Sequence, residues 1–340
     1  MTTTAPTPRT ALIIGAAGSF GAHAAQALLK HGWAIRALSR NPEAARAAAP
    51  RTAIDWVKGD AMNAAEVVAA AQGVQLIVHA ANPPRYRNWK GTVLPMTDSA
   101  IAAAKATGAR LMLPTSVYNY DPHMGSEIRE DAPQTPVTRK GAIRVEVERR
   151  LEAASKHGVK VLILRAGDFF GPAAPNSGLS WIVNHSGGRM TSVYQPGPNA
   201  VGHAFAYLPD LAETLARLVD AEDRLGDFER FHFRGHWMER NDQLGEAIRR
   251  VAGQRRLPIR AFPWPVVLAA SPFNETFREL WEMRYLWRLP IGLSNARLTA
   301  FLGAEPHTPF DAALAASLAD MGLLEGSQAE RAAQLAPALA

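Results

Sequence analysis

Residues 10–40 read TALIIGAAGSFGAHAAQALLKHGWAIRALSR. The apolar run at 11–14 has the character of a buried parallel strand, an Ala-rich amphipathic stretch follows, and 33–38 reads as a second strand running into Ser39 and Arg40. Between the first strand and the helix, Gly15, Gly18 and Gly21 recur at three-residue spacing. Each has a separate physical task. Gly15 permits the tight turn, Gly18 lets the backbone approach a pyrophosphate, and Gly21 lets the helix pack close to the strand. Free N–H groups and the helix dipole favour phosphate at that point, so Gly15, Ala17, Gly18, Ser19, Phe20 and Gly21 are the expected contacts. Three spaced glycines alone are weak evidence. Set between a strand and a helix, they predict a dinucleotide site.

The same alternation continues. Short apolar runs at 54–58, 76–79, 110–114 and 160–164 are separated by helix-like stretches at 64–71, 93–107 and 143–157. This rhythm predicts an α/β fold, a doubly wound parallel sheet of the Rossmann type, with a smaller C-terminal substrate lobe. The expected organisation is a disordered N-terminus at 1–9 and a dinucleotide-binding domain at 10–166. A mixed α/β substrate lobe at 167–327, partly interleaved with the sheet, and a tail at 328–340 complete it. Within the lobe, 209–221 and 242–252 read as helices and 228–233 and 257–262 as strands, while Trp281, Tyr285 and Trp287 read as core or lid packing.

Bulk properties narrow the class. A net charge of +6 comes from cations scattered among acids, which argues against a nucleic-acid partner. The absence of cysteine excludes disulfides, thiolate nucleophiles and Cys-ligated zinc, and the ten histidines show no metal-ligand spacing, so no metal is expected. Neither a signal peptide nor an uninterrupted apolar span is apparent. The expectation is a cytoplasmic protein with no membrane partner.

The order of motifs resembles the extended short-chain dehydrogenase/reductase family, which contains nucleotide-sugar epimerases, dehydratases and related reductases. The motifs are GAAGSFG at 15–21, Gly59-Asp60, HAAN at 79–82, PTSVY at 114–118, RAGDFFGP at 165–172 and a terminal SNARLTAFLGAEPHTPFDAAL at 294–314. The resemblance implies that Asp60 and Ala61 border an adenine and that Ala80, Ala81 and Asn82 pass beneath the ribose and pyrophosphate. It also implies a homodimer. Charge at the end of the second strand separates the two nicotinamide cofactors, because a carboxylate there accepts ribose hydroxyls and repels a 2′-phosphate. This strand ends in Ser39 and Arg40, a hydroxyl and a phosphate-binding fork, which favours NADP(H) over NAD(H).

The catalytic position departs from the family. Its usual Tyr, followed four residues later by Lys, aligns with Lys140 and Arg144 in KGAIRVEVE. Arg144 is suited to holding ribose hydroxyls, but with a pKa above about 12 it is a poor proton shuttle. Lys140 would serve as a donor only if its pKa fell from about 10.4 toward neutrality. Alternatively, both are anion-binding cations, or solvated partners of Glu146 and Glu148. The resemblance places Ser116, with Thr115 beside it, where a hydroxyl meets a substrate carbonyl. Tyr118 is the nearest phenol to replace the missing one, with Tyr120 a weaker choice. Asn176, His185 and His203 fall where the substrate lobe approaches the crevice. Arg85, Tyr86, Arg87 and Trp89 form a mixed basic and aromatic loop after the fourth strand.

Three functional readings follow. The first is an NADP(H)-dependent oxidoreductase acting on a small carbonyl or conjugated substrate, with Ser116 orienting the substrate and Tyr118, Lys140 or water giving the proton. The second is a nucleotide-sugar epimerase or dehydratase that regenerates its cofactor. The third is a catalytically silent NADP(H)-binding sensor.

Overall fold

The computed structural model describes residues 9–49, 52–83, 88–175 and 177–324. The readings placed on Arg85, Tyr86, Arg87, Asn176, residues 1–8 and the tail at 328–340 lie outside the described residues.

The strands are β1 (Thr10–Ile14), β2 (Ala34–Ser39), β3 (Ile54–Lys58), β4 (Leu76–His79), β5 (Arg110–Thr115), β6 (Val161–Arg165) and β7 (Asp168–Phe170). They continue as β8 (Val183–Ser186), β9 (Arg189–Gln195), β10 (His203–Tyr207), β11 (Phe228–His232), β12 (His236–Met238) and β13 (Ile259–Ala261). The helices are α1 (Ser19–Lys30), α2 (Pro42–Ala48), α3 (Ala64–Ala70), α4 (Trp89–Thr107), α5 (Arg139–Ser155) and α6 (Gly178–Ile182). Then come α7 (Leu208–Asp220), α8 (Asp242–Val251), α9 (Trp264–Ala270), α10 (Glu275–Met283), α11 (Ala296–Leu302) and α12 (Phe310–Asp320).

Seven of the described strands form one parallel sheet in the order β11-β6-β5-β4-β1-β2-β3. Side-chain alternation along a strand explains why both faces are covered. Ala11 and Ile13 of β1, Leu76 and Val78 of β4, and Leu162 and Leu164 of β6 face one layer, where they pack with Ala24 and Leu28 of α1 and Leu211 and Leu215 of α7. The intervening Leu12, Ile14, Ile77, Val161 and Ile163 pack on the other face with Val67 of α3, Val93 and Ala100 of α4, and Val147 and Leu151 of α5. A sheet buried on both sides is why these strands are apolar without interruption. The strand order reverses between β1 and β4, so the loops after these two strands open the ligand crevice.

Two helices begin earlier than their apolar pattern indicates. Helix α4 begins at Trp89 rather than 93, and α5 at Arg139 rather than 143. Glycine at 91 and 141 weakens the sequence signal there. At 141 the glycine is needed for contact, because a methyl group would run into the carbonyl of Tyr118. Thr138 caps α5 by accepting from the Gly141 N–H at 3.0 Å. Helix α2, which the sequence reading passes over, starts with Asn41 accepting from Ala44 N and with Pro42 at the first position. Residues 168–207 and 236–261 supply two three-stranded sheets, β12-β10-β7 and β13-β9-β8. Among the described residues no helix is long and apolar enough to cross a membrane.

The edge strand β11 carries a buried histidine into the molecule. His232 Nδ1 donates to the Ile128 carbonyl at 3.0 Å, and its Nε2 accepts from Tyr120 Oη at 3.0 Å. Burial first, and then the nearby Arg165 charge, hold His232 down to about 2. The unfolded chain takes up this proton near the ordinary value of about 6.5, so stability is present above that pH and lost below it. In urea unfolding, the margin of wild type over His232→Gln should shrink by about 2 kcal/mol between pH 7.5 and pH 5.

Candidate functional site

At the reversal point Gly15 adopts a φ of +94°, and a methyl group there would lie 2.6 Å from Ala81 N. The turn therefore presses directly on the backbone that follows β4. A methyl at Gly21 would collide with the carbonyl of Gly15, so this glycine sets how closely α1 sits on the turn. Gly18 N–H donates to Gly15 O at 2.9 Å, and its own methyl would meet that oxygen at 3.2 Å. The N-terminus of α1 has no side-chain cap, and Gly18, Ser19 and Phe20 line the cavity beside it. Uncapped N–H groups and the dipole make this end of the helix suited to an anion.

The cavity has a volume of about 540 Å³. Gly15, Gly18, Ser19, Phe20, Ala80, Ala81 and Asn82 form its dinucleotide end. Ala17, which is exposed, and Gly21 are not among its walls. Ser39, Arg40, Asp60 and Ala61 also stand outside it, at the same carboxyl edge of the sheet after β2 and β3. There Ser39 Oγ accepts from Asn41 N at 3.2 Å, and Asp60 Oδ1 accepts from Met62 N at 2.9 Å. Arg40 is exposed.

In the middle of the cavity, Thr115, Ser116, Tyr118, His79 and Arg144 come together. Ser116 Oγ, Thr115 Oγ1 and His79 Nδ1 are buried and have no hydrogen-bond partner among the described residues. Such atoms are costly in an apolar interior and mark where a ligand's polar groups would be satisfied. Burial, helped by the Arg144 charge, lowers His79 to about 4. It is therefore a neutral wall residue at physiological pH. The Arg144 guanidinium stacks 4.8 Å from the Trp89 ring and reaches Asn82 Oδ1 at 3.4 Å. Tyr118 is buried on the 3₁₀ turn at 117–119. Tyr120 is fully buried, points to His232 and is not a cavity wall.

Lys140 has a different setting. It is buried, its ammonium pairs with Glu279 and lies 3.6 Å from Glu282 of α10, and Trp89 is 5.9 Å away. It is not among the cavity walls. The carboxylates weighed as its helical partners are engaged elsewhere. Glu146 pairs with Arg149 and Arg150, and Glu148 pairs with Arg165 and Arg230.

The far wall consists of Phe169, Trp181, Ile182, Phe262, Trp264, Met283, Leu286 and Trp287. Among the described lining residues Arg144 is the one permanent cation and Asp168 the one carboxylate. Sequence reasoning did not select Asp168 or Phe169, although both stand inside RAGDFFGP, nor Trp181 and Phe262. Trp287 lines the cavity, whereas Trp281 and Tyr285 do not. His185 is exposed on β8, and His203 lies behind Asp168. No group of three or more His, Asp or Glu among the described residues is placed to hold a metal.

A parallel sheet with a glycine turn at its reversal point, facing the loop after β4, defines a Rossmann dinucleotide-binding protein of the extended short-chain dehydrogenase/reductase class. The chain belongs to the NAD dependent epimerase/dehydratase family, whose model matches residues 11–232. A UDP-glucuronic acid 4-epimerase from Bacillus cereus, solved with UDP-glucuronic acid and NAD, is 14% identical, with 92% of this chain and 98% of that chain covered and a TM-score of 0.71. The UDP-glucose 4-epimerase of Thermotoga maritima, solved with UDP-glucose, is 14% identical over 92% and 98% at a TM-score of 0.72. The enzyme WbmH of Bordetella bronchiseptica, solved with NAD+, is 20% identical over 93% and 98% at a TM-score of 0.66. At these identities the likeness establishes the fold. No curated protein matches the chain by sequence.

Two measurements check the architecture of the site. Gly21→Ala should lower stability by about 1–3 kcal/mol in urea unfolding, because the added methyl has backbone on its path. Lys140→Ala should cost about 1–3 kcal/mol, because Glu279 loses its buried cation and keeps only the exposed Arg139 at 3.2 Å and Arg278 at 3.9 Å, and a Lys140→Ala/Glu279→Leu double variant should recover a large part of that loss.

Proposed function

We propose that the chain is an NADP(H)-dependent oxidoreductase of the extended short-chain type, acting on a small carbonyl or conjugated substrate held among aromatic side chains. The observation that carries this reading is one continuous cavity. It begins at the glycine turn and the Ala80–Asn82 backbone and ends in a wall of tryptophan, phenylalanine and aliphatic side chains. The residues fit the cofactor. Gly18, Ser19 and Phe20 at the α1 N-terminus would hold its pyrophosphate, Arg144 its nicotinamide ribose, and Ser39 with Arg40 a 2′-phosphate. When bound, the nicotinamide supplies or takes up hydride. Ser116, with its buried hydroxyl lacking a partner, hydrogen-bonds the substrate oxygen, and Phe169 and Trp287 exclude water from it. Tyr118 and Lys140 remain the donors that sequence alone nominates. The position of the Lys140 ammonium, against Glu279, supports a positioning role for it between α5 and α10.

A nucleotide-sugar epimerase or dehydratase is the second reading. The family description and the neighbours solved with sugar nucleotides favour it over a small carbonyl substrate. Against it stands the charge of the described part of the cavity wall, where Arg144 and the Asp168 carboxylate would together face a nucleoside diphosphate.

Both readings, and the cofactor, are decided by the same assays. NADPH should bind more tightly than NADH by fluorescence titration, and Arg40→Ala should weaken NADPH binding about tenfold while leaving NADH binding unchanged. Benzaldehyde, acetophenone and benzil should consume NADPH, with no turnover of UDP-glucose or UDP-glucuronic acid. Conversion of either sugar nucleotide would establish the second reading, and tight NADPH binding with no turnover of any of these compounds would establish the sensor.

A further inference from the structure

The aromatic wall conceals a polar pair that the cofactor site does not use. Asp168 stands on β7 among the cavity walls, with its side chain 23% exposed. On the neighbouring strand β10, paired through Phe205 and Asp168, His203 is buried. Its Nε2 is 3.0 Å from Asp168 Oδ2, and its Nδ1 is 3.0 Å from the Leu286 carbonyl. The ring lies flat against Trp287, with centroids 3.7 Å apart and planes 2° from parallel.

Hydrogen-bond chemistry then counts the protons. A backbone carbonyl only accepts, so Nδ1 carries a proton toward Leu286. A bare imidazole nitrogen and a bare carboxylate oxygen do not hold 3.0 Å, so a second proton lies between Nε2 and Oδ2. Two acceptors at the ring edge and an indole over its face suit a ring protonated on both nitrogens. Trp287 stacked on one face and the Leu286 carbonyl at Nδ1 hold the imidazole in this orientation. Asp168 therefore shares a proton with the ring behind it and has the cavity in front.

We propose that Asp168, backed by His203, is the proton-exchanging group of the cavity and the catalytic acid/base for an oxygen of the bound molecule. The identity of that molecule rests on the reading under Proposed function; the pair itself does not. In the reducing direction the shared proton moves to Asp168, whose O–H bond breaks as a new O–H bond forms on the carbonyl oxygen. The reduced nicotinamide cofactor, when bound, would supply the hydride that the carbonyl carbon takes up. His203, left neutral with its Nδ1–H on Leu286, regains a proton from solvent when the product leaves, so one hydride and one solvent proton are consumed for each carbonyl reduced. His203 is a positioning residue, since it acts through the carboxylate. This pair supplies what the Lys140 position lacks, an exchangeable proton at the cavity surface.

The test begins with protein labelled with ¹⁵N in its histidine rings, with His203 assigned by the signals lost in His203→Gln. At pH 7.5 the wild-type ring should show protons on both nitrogens, and Asp168→Asn should remove the one on Nε2 and leave the one on Nδ1. A bare Nδ1 in wild type, or an Nε2 proton that survives Asp168→Asn, overturns the proposal. With acetophenone and NADPH, Asp168→Asn should lower kcat about 100-fold with KM within threefold of wild type. His203→Gln should lower kcat less, and Asp168→Glu should restore part of the loss. Asp168→Asn with kcat within threefold of wild type also overturns the proposal. If wild type does not turn over acetophenone, benzaldehyde or benzil, the small-carbonyl reading falls, and the ring-nitrogen states still decide the pair. Tryptophan fluorescence melting of each variant separates these effects from misfolding.

Discussion

One buried ion pair locates the middle of the cavity. Arg165 ends β6 with no exposed surface, and its guanidinium is held by Glu148 of α5 while it donates to the carbonyl of Ser116. Glu148 also receives Asn119 at 3.0 Å, Gln134 at 2.7 Å and Arg230 from β11 at 3.1 Å. The Tyr120 ring lies 4.8 Å from the same guanidinium. Charges this deep are tolerated only when their hydrogen-bonding capacity is met from several directions, which makes the arrangement cooperative. The end of β5, the 3₁₀ turn after it, the middle of α5 and the edge strand β11 are thereby held to one geometry. Ser116 and Tyr118 take their places from that constraint.

Charge is distributed around the cavity so that little of it faces inward. Lys140 is drawn to Glu279, Arg165 to Glu148, and Glu146 to Arg149 and Arg150. Arg144 is left at the wall, packed on the face of Trp89. Among the described lining residues, that leaves Arg144 as the one arginine or lysine in a wall otherwise built largely of aromatic and aliphatic side chains. Helix α10 contributes to both effects, since Glu279 clamps Lys140 while Leu280 and Met283 line the cavity. A substitution on that helix would change the start of α5 and the shape of the cavity together.

Much of the fold was readable from local pattern. The six runs of the Rossmann core appear as strands with ends shifted by at most one residue; the central strands β1, β4 and β6 are buried on both faces and so almost wholly apolar, while β2 and the edge strand β3 admit Arg36, Asp55 and Lys58. The glycine turn was equally legible, since Gly15 and Gly21 are required by backbone contacts only a few residues away or by the next strand of the sheet. The starts of α4 and α5 were less so. There a glycine that looks like a helix breaker is kept because Tyr118 comes too close for a side chain at 141.

The sequence by itself determined the parallel sheet and the glycine turn at its reversal point, because periodicity and spacing act over distances of a few residues. Only the tertiary structure decided which partners the charged side chains around the cavity found. Lys140 meets a carboxylate 139 positions away, and Asp168 meets His203 across 35 positions with Trp287 stacked behind. Contacts of that separation are set by the packing of β7, β10 and α10 against the sheet, and no local pattern records them.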